Sequence, residues 1–255
     1  MATEDDRRNG LLEYDGTAKD YEDHTHLNAY NGDKGNNKQI GSGGDDVYRG
    51  GHGDDDWRGR GGDDWAWGQG GNDKMWGDDG DDHGYGGGGN DEWHGGPGDD
   101  RWWGHSGSDK AWGEDGDDEH HGGSGNDEHW GGRGEDKLYG DGGHDQQSGE
   151  DGDDDIFGGD GDDEHRGGRG NDYHEGGQGS DIYHFSAGDG HDHIADFELY
   201  IDRIVVDGKT EADFVYTDDG NGNTTVTWGD PTCSVTLVGI NADAFTTGVF
   251  ASGEP

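Results

Sequence analysis

Between residues 41 and 184 an aspartate returns every nine residues: Asp46, Asp55, Asp64, Asp73, Asp82, Asp91, Asp100, Asp109, Asp118, Asp127, Asp136, Asp145, Asp154, Asp163, Asp172 and Asp181. Each stands two residues after one glycine and five after another. Carboxylates repeated at a fixed interval suit the capture of a hard cation. Calcium accepts six to eight oxygens in tolerant geometry, whereas magnesium demands a tight octahedron and keeps its waters. Turns that bend at glycine also direct main-chain carbonyls outward, so two aspartates and several carbonyls form a calcium cage. Aspartates eighteen residues apart, such as Asp46 with Asp64 and Asp55 with Asp73, are expected to share an ion, and sixteen aspartates in two columns make fourteen such pairs.

Other chemistry leaves weaker marks. A zinc protease needs H-E-x-x-H on a helix, and "EHH" at Glu119 lacks that spacing. Ser106, Ser108 and Ser124 sit in turn-like sequence with no G-x-S-x-G after a strand. No catalytic residue is therefore expected. His120 with His129, and His165 with His174, occupy the eighth position of consecutive nine-residue units. If that position faces inward, each pair either holds a transition metal or is hydrogen-bonded or hydrated. The ninth position is aromatic in many units, including Trp67, Tyr85, Trp103, Tyr139 and Phe157 in one alternate set and Trp76, Trp112 and Trp130 in the other. Such ladders either stack on sugar rings or partner proteins, or pack over the turns. Trp67, Trp76, Trp103, Trp112 and Trp130 are the candidate ligand-binding aromatics.

The elements that position these residues follow from the same period. With Gly41 as position one, sixteen units run without a gap to His184, and positions one, four and six are Gly, Gly and Asp in all sixteen. A degenerate unit, "GDKGNNKQI", precedes them with Asn37 in place of the aspartate. Glycine in fixed register marks positive φ or close approach. Position five is Asp or Asn in twelve units, the non-glycine residues that best tolerate the left-handed region. Positions one to six are thus expected to form a turn and positions seven to nine a short strand. Two units make one coil, with a strand on each side. Coils stacked at the strand spacing bring aspartates eighteen residues apart side by side, and eight coils make a rod of roughly 38 Å.

Composition explains why a cation is needed. Of 255 residues, 62 are Asp or Glu and 17 Lys or Arg, a net charge of -45, and apolar residues are only 24%. Alone, such a chain has too little apolar surface to offset its conformational entropy. Nucleic acid and anionic membranes are poor partners for such a polyanion, so no nucleic acid is expected, and no membrane span or cleaved export signal is visible. The single cysteine, Cys233, excludes an internal disulfide. Three regions are expected: an acidic, irregular segment at 1–31, the repeat at 32–184, and a C-terminal region at 185–255. In the last, "DHIADF", "DRIVVDG", "DFVYT", "TTVTW" and "CSVTLVGI" are β-branched and aromatic strands separated by Gly, Asn and Asp clusters. An antiparallel β module that caps the open end of a solenoid is expected there.

The units resemble the RTX nonapeptide G-G-x-G-x-D-x-U-x, and "FSAGDGHDHIADF" (185–197) resembles the C-terminal capping segment of RTX proteins such as the serralysin group. The resemblance implies an all-β, calcium-loaded, right-handed parallel β-roll. It also implies export by a type I secretion apparatus with an uncleaved C-terminal signal, hence an extracellular location. Asp189, Asp192 and Asp196 are placed to close the last ion site, with Asp192 as its ligand. Position eight, usually aliphatic in the family, here reads Tyr48, Trp57, Ala66, Met75, Gly84, Trp93, Trp102, Ala111, His120, His129, Leu138, Gln147, Ile156, His165, His174 and Tyr183. Large residues beside small ones fill a thin core by complementarity. The expected function is that of a secreted, non-enzymatic calcium-binding protein with a structural or adhesive role. The alternatives are a polysaccharide-binding module, like the R-modules of alginate epimerases, and the tail of an RTX hydrolase. About thirty residues before the repeat are too few for a catalytic domain, and Met1 argues against a fragment.

Overall fold

A computed structural model describes residues 28–210, 213–228, 233–244 and 250–252. Among the described residues two sheets form the roll, one of thirteen strands and one of eleven, and consecutive strands alternate between them as far as Arg203–Val206. Every pairing within the repeat is parallel with a register of eighteen residues, as in Ala111 opposite His129 and His120 opposite Leu138. Two nine-residue units therefore make one coil, as the period requires.

The strands are longer than the sequence pattern suggests. They span six residues, as in Asp56–Gly61 and Glu128–Arg133, and so take in positions one to three of the following unit. Only positions four to six turn. The pairing register skips the position-one glycine and resumes at positions two and three. The left-handed residues also differ from expectation. Position four is left-handed, with φ between 100° and 154° from Gly53 to Gly179 except at Gly152. So is position two, at 69° to 120°, even where it is Arg60, Gln69, Glu114 or Glu150. The Asp and Asn at position five do not appear among the left-handed residues; they serve the hydrogen-bond ladder described below.

Position eight faces inward throughout, and its side chains are buried from Tyr48 to Tyr183. The interior changes character along the axis. Tyr48, Trp57, Ala66, Met75, Trp93, Trp102 and Ala111 form one apolar cluster. Gly84 completes it: a Cβ there would lie 2.5 Å from Trp93 and 2.7 Å from Trp102. From His120 to His174 the interior is mixed, with Leu138 and Ile156 between four histidines and Gln147. Beyond it a second apolar cluster includes Phe185, Ile194, Ile204, Val226, Trp228, Val235 and Leu237.

The cap is only partly antiparallel. His191–Ile194 and Arg203–Val206 continue the two parallel sheets, and Ser234–Leu237 and Phe250–Ser252 add a further parallel strand to each. Antiparallel pairing is confined to Val215–Asp218, Thr224–Thr227 and Ser234–Leu237. The coil thus outlasts the glycine repeat. At the other end Asn28–Asn31 pairs with Asp46–His52, inside the segment expected to be irregular, while residues 1–27 of that segment lie outside the described residues. Among the described residues no helix is long and apolar enough to cross a membrane.

Candidate metal centre: two columns of buried carboxylates

The sixteen position-six aspartates stand in two columns, and each is at most 2% exposed. Within a column one carboxylate oxygen is used identically in every coil. Asp64 Oδ1 accepts the main-chain N–H of Asp46 at 2.6 Å, Asp82 that of Asp64 at 2.7 Å, and Asp100 that of Asp82 at 2.7 Å. The other column repeats the pattern, as in Asp109 accepting from Asp91 at 2.7 Å. The second oxygen, Oδ2, is buried without a hydrogen-bond partner in every repeat aspartate except Asp46 and Asp181. Asp46 begins its column and is instead engaged by Ser42 and by Asn28, whose Nδ2 donates to its Oδ1 at 2.9 Å.

Glycine makes room for that oxygen. A Cβ at Gly113 would fall 2.0 Å from Asp118 Oδ2 and 2.5 Å from the Gly131 carbonyl oxygen, and Gly59 meets Asp64 Oδ2 in the same way. At position four the contact is with the preceding coil: a Cβ at Gly80 would lie 2.1 Å from Gly62 O. Both fixed glycines thus bring carboxylate and carbonyl oxygens of adjacent coils together.

Position five carries a second ladder of opposite sense. Asp54 Oδ1 accepts the N–H of Asn72 at 2.9 Å, and Asn72 Oδ1 that of Asn90 at 2.8 Å. A short side-chain oxygen that reaches the next coil explains the preference for Asp and Asn there. The signal was present in the repeat, but turn propensity offers an equally good account of the same residue types.

Burial dominates the electrostatics of the columns. It raises the carboxyl pKa of Asp73, Asp127 and Asp163 to about 6, of Asp82, Asp91 and Asp136 to about 7, and of Asp64, Asp118 and Asp145 to about 8. Asp100 is pushed up to about 10, with Asp118 and Asp82 adding to the desolvation. The accepted N–H bond opposes the shift in each. An ionised carboxylate is costly here unless a cation meets its orphan oxygen. Among the described residues no three His, Cys, Asp or Glu converge on one point. An ion between two coils would complete its shell with main-chain oxygens or water. All the donors are hard oxygens, and the set fits calcium.

Both columns extend into the cap. Asp192 Oδ1 accepts from Asp172 N at 3.0 Å, and Asp202 Oδ1 from Asp181 N at 3.1 Å. Asp192 has an orphan Oδ2 like the repeat aspartates. Asp202 lies beyond the repeat register and only the coil geometry reveals it. Asp196 accepts from the N–H groups of Gly176 and Gly177 at 3.0 and 2.8 Å, and Asp189 from Ser186.

The interior histidines do meet in pairs, with ring centroids 5.5 Å apart for His120 and His129 and 5.7 Å for His165 and His174. No ring nitrogen of the four has a hydrogen-bond partner. Burial holds all four well below the usual imidazole range, His129 and His174 at about 3. The candidate ligand-binding tryptophans lie half-buried in ladders whose rings stack on one another. Trp103 is sandwiched between Tyr85 and His121, and Trp112 between His94 and Trp130. Trp67 has Tyr85 on one face and the Arg49 guanidinium 5.5 Å from its centroid. Trp76 stacks on His94. Most of these ladders offer solvent ring edges rather than the ring faces a sugar requires.

Fold and site together define a calcium-binding parallel β-roll. Residues 58–183 match the family described as RTX calcium-binding nonapeptide repeat (4 copies), at 58–92, 94–128, 121–147, 130–164 and 148–183. Among solved structures it is similar to the AlgE6R3 subunit of the Azotobacter vinelandii mannuronan C5-epimerase, at 28% identity over 53% of this chain and 77% of that one, with a TM-score of 0.31. It is also similar to the extracellular lipase LipA of Serratia marcescens, at 18% identity and a TM-score of 0.37, over 84% of this chain and 39% of the lipase. No curated protein matches the chain in sequence.

Proposed function

We propose that the chain is a secreted, non-catalytic RTX protein with a structural or adhesive role, unfolded before export and folded by calcium outside the cell. The observation that carries this is the pair of buried columns in which one oxygen of nearly every carboxylate has no partner. The position-six aspartates are the ligands, each serving the ions on either side of it, with turn carbonyls completing the shells. The sixteen repeat aspartates make fourteen eighteen-residue pairs, and Asp192 and Asp202 add one to each column. A type I secretion apparatus suits a chain that stays extended at low calcium, and the C-terminal region is the proposed export signal. Calcium titration followed by circular dichroism, with light scattering for assembly, tests the proposal. At pH 7.5 a cooperative gain of β signal in millimolar calcium supports it, and a native-like spectrum in excess chelator would overturn it.

A further inference from the structure

We infer that the gap left by Ser148 in the shorter aromatic ladder is a binding slot for one pyranose ring of an uncharged glycan, stacked on Trp130. Position nine on the eleven-stranded sheet reads Arg58, Trp76, His94, Trp112, Trp130, Ser148, Arg166 and His184. The rings from Trp76 to Trp130 stack within 6° of parallel at centroid distances of 4.5 to 5.6 Å. The next rung is Ser148, directly opposite Trp130 on one side and Arg166 on the other. A hydroxymethyl group cannot cover an indole. Two strand spacings, roughly 9.6 Å, separate the Trp130 and Arg166 strands, and Ser148 fills little of that interval. The other ladder has no such break. It runs unbroken from Trp67 to Phe157, closed at one end by Arg49 and at the other by Tyr173, whose ring centroid is 5.8 Å from that of Phe157.

What surrounds Trp130 selects the occupant. A groove of about 630 Å³ runs past Trp112 and Trp130, with Glu150, Asp151, Arg133 and Arg169 among its lining. Its two arginines are already paired, Arg133 with Asp115 at 2.7 Å and Arg169 with Asp151 at 3.0 Å. Counting Glu114, Asp115 and Asp189, the groove holds five carboxylates against two guanidiniums. A uronate or sulfated sugar is repelled there, whereas hydroxyl groups find carboxylate acceptors at the rim. The indole face attracts the C–H face of a pyranose. Aromatic platform, one-ring depth and acceptor-rich rim together describe a neutral sugar. Across the Ser148 strand from Trp130, Gly168 and Arg169 bound the groove.

The inference rests on the calcium-folded roll proposed above, and the test separates the two. The full chain in millimolar calcium is titrated with cellohexaose, maltohexaose and xylohexaose, and with a hexauronate as the charged counterpart, by calorimetry and tryptophan fluorescence. At least one neutral hexaose is expected to bind. Ser148→Trp, which supplies the missing rung, and Trp130→Leu, which removes the platform, are each expected to weaken binding about tenfold, the scale of one lost aromatic contact. Circular dichroism should show Ser148→Trp folding at the wild-type calcium midpoint. Undiminished binding by Ser148→Trp, equal binding of the hexauronate, or no neutral binding to a chain that is folded in calcium would each overturn the slot alone. Absence of any calcium-induced folding in the wild-type chain would overturn both proposals.

Discussion

At the scale of the residue, the position-one glycine and the position-six aspartate act as one unit. The glycine leaves space for Oδ2, and the aspartate uses Oδ1 to tie its coil to the one before. Adding a methyl group at Gly113 places carbon 2.0 Å from Asp118 Oδ2 and 2.5 Å from Gly131 O. Both obstacles belong to the proposed ion sites, so neither can give way freely. Gly113→Ala is expected to raise the calcium concentration at the folding midpoint, read by circular dichroism. Asp118→Asn, which keeps the accepted N–H bond but removes the charge, should raise it as well while leaving the calcium-saturated spectrum intact. A midpoint unchanged in both variants would refute the shared role. This pairing was legible in the sequence, because glycine and aspartate never leave their registers. The left-handed position two was not legible. It carries Arg60, Gln69 and Glu114, residues that no propensity argument assigns to positive φ. Coil stacking imposes that conformation, and glycine marks it in only eight of the sixteen units.

At the scale of the strand, what matters is the inward side chain at position eight. Alternation of large and small residues was readable, and Gly84 between Trp93 and Trp102 is its sharpest instance. Gly84→Val must displace one indole or the other. Overpacking of this kind costs roughly 1–3 kcal/mol, so thermal unfolding in calcium should shift downward, whereas Ala111→Gly nearby should cost less. The histidine stretch has a different signature. Burial lowers the folded-state pKa of His120, His129, His165 and His174. The unfolded chain therefore binds protons first, and stability is lost as pH falls below about 6.5. Each buried imidazole forfeits about 2 kcal/mol by pH 5 on that account. Replacing all four by leucine should leave folding at pH 7.5 intact and flatten the acid limb in calcium. An unchanged acid transition would show that the imidazoles are not what titrates. That these positions face inward followed from the repeat. That the rings meet without hydrogen-bond partners required coordinates, since two residues nine apart reveal nothing about ring orientation.

At the scale of the whole molecule, fold and charge are a single problem. The roll stacks carboxylates in two columns in a chain of net charge -45, and its interior is too polar in the middle to compensate. The stacked-coil architecture and the calcium chemistry were open to inspection because sixteen copies of one unit leave little freedom. The cap was harder. Its strands carry no period, so continuation of both parallel sheets through Arg203–Val206 and Phe250–Ser252 could not be told from a separate antiparallel module. The strongest whole-molecule test is the direction of the pH effect with and without calcium. In the calcium-free roll burial raises the folded-state pKa values of the column carboxyls from Asp64 to Asp181 to between about 6 and about 10. A group raised in the folded state contributes its stability below the unfolded pKa of about 4 and loses it as pH rises through the folded value. At pH 7.5 most of that contribution is gone, and the calcium-free chain should be unfolded. Acidification toward pH 5 returns protons to the columns, which far outnumber the four opposing imidazoles, so β signal should partly reappear in chelator. With calcium bound the carboxylates already have their counter-charge, and protons only compete with the ion and charge the buried histidines. The same acidification should then destabilise the roll. Each ion at a free concentration 100-fold above its dissociation constant adds about 2.7 kcal/mol, so calcium dominates wherever it is present. Circular dichroism melts at pH 7.5 and pH 5, in calcium and in chelator, decide the matter: slopes of opposite sign support ion-compensated columns, and slopes of the same sign would show that the carboxylates are not what calcium neutralises.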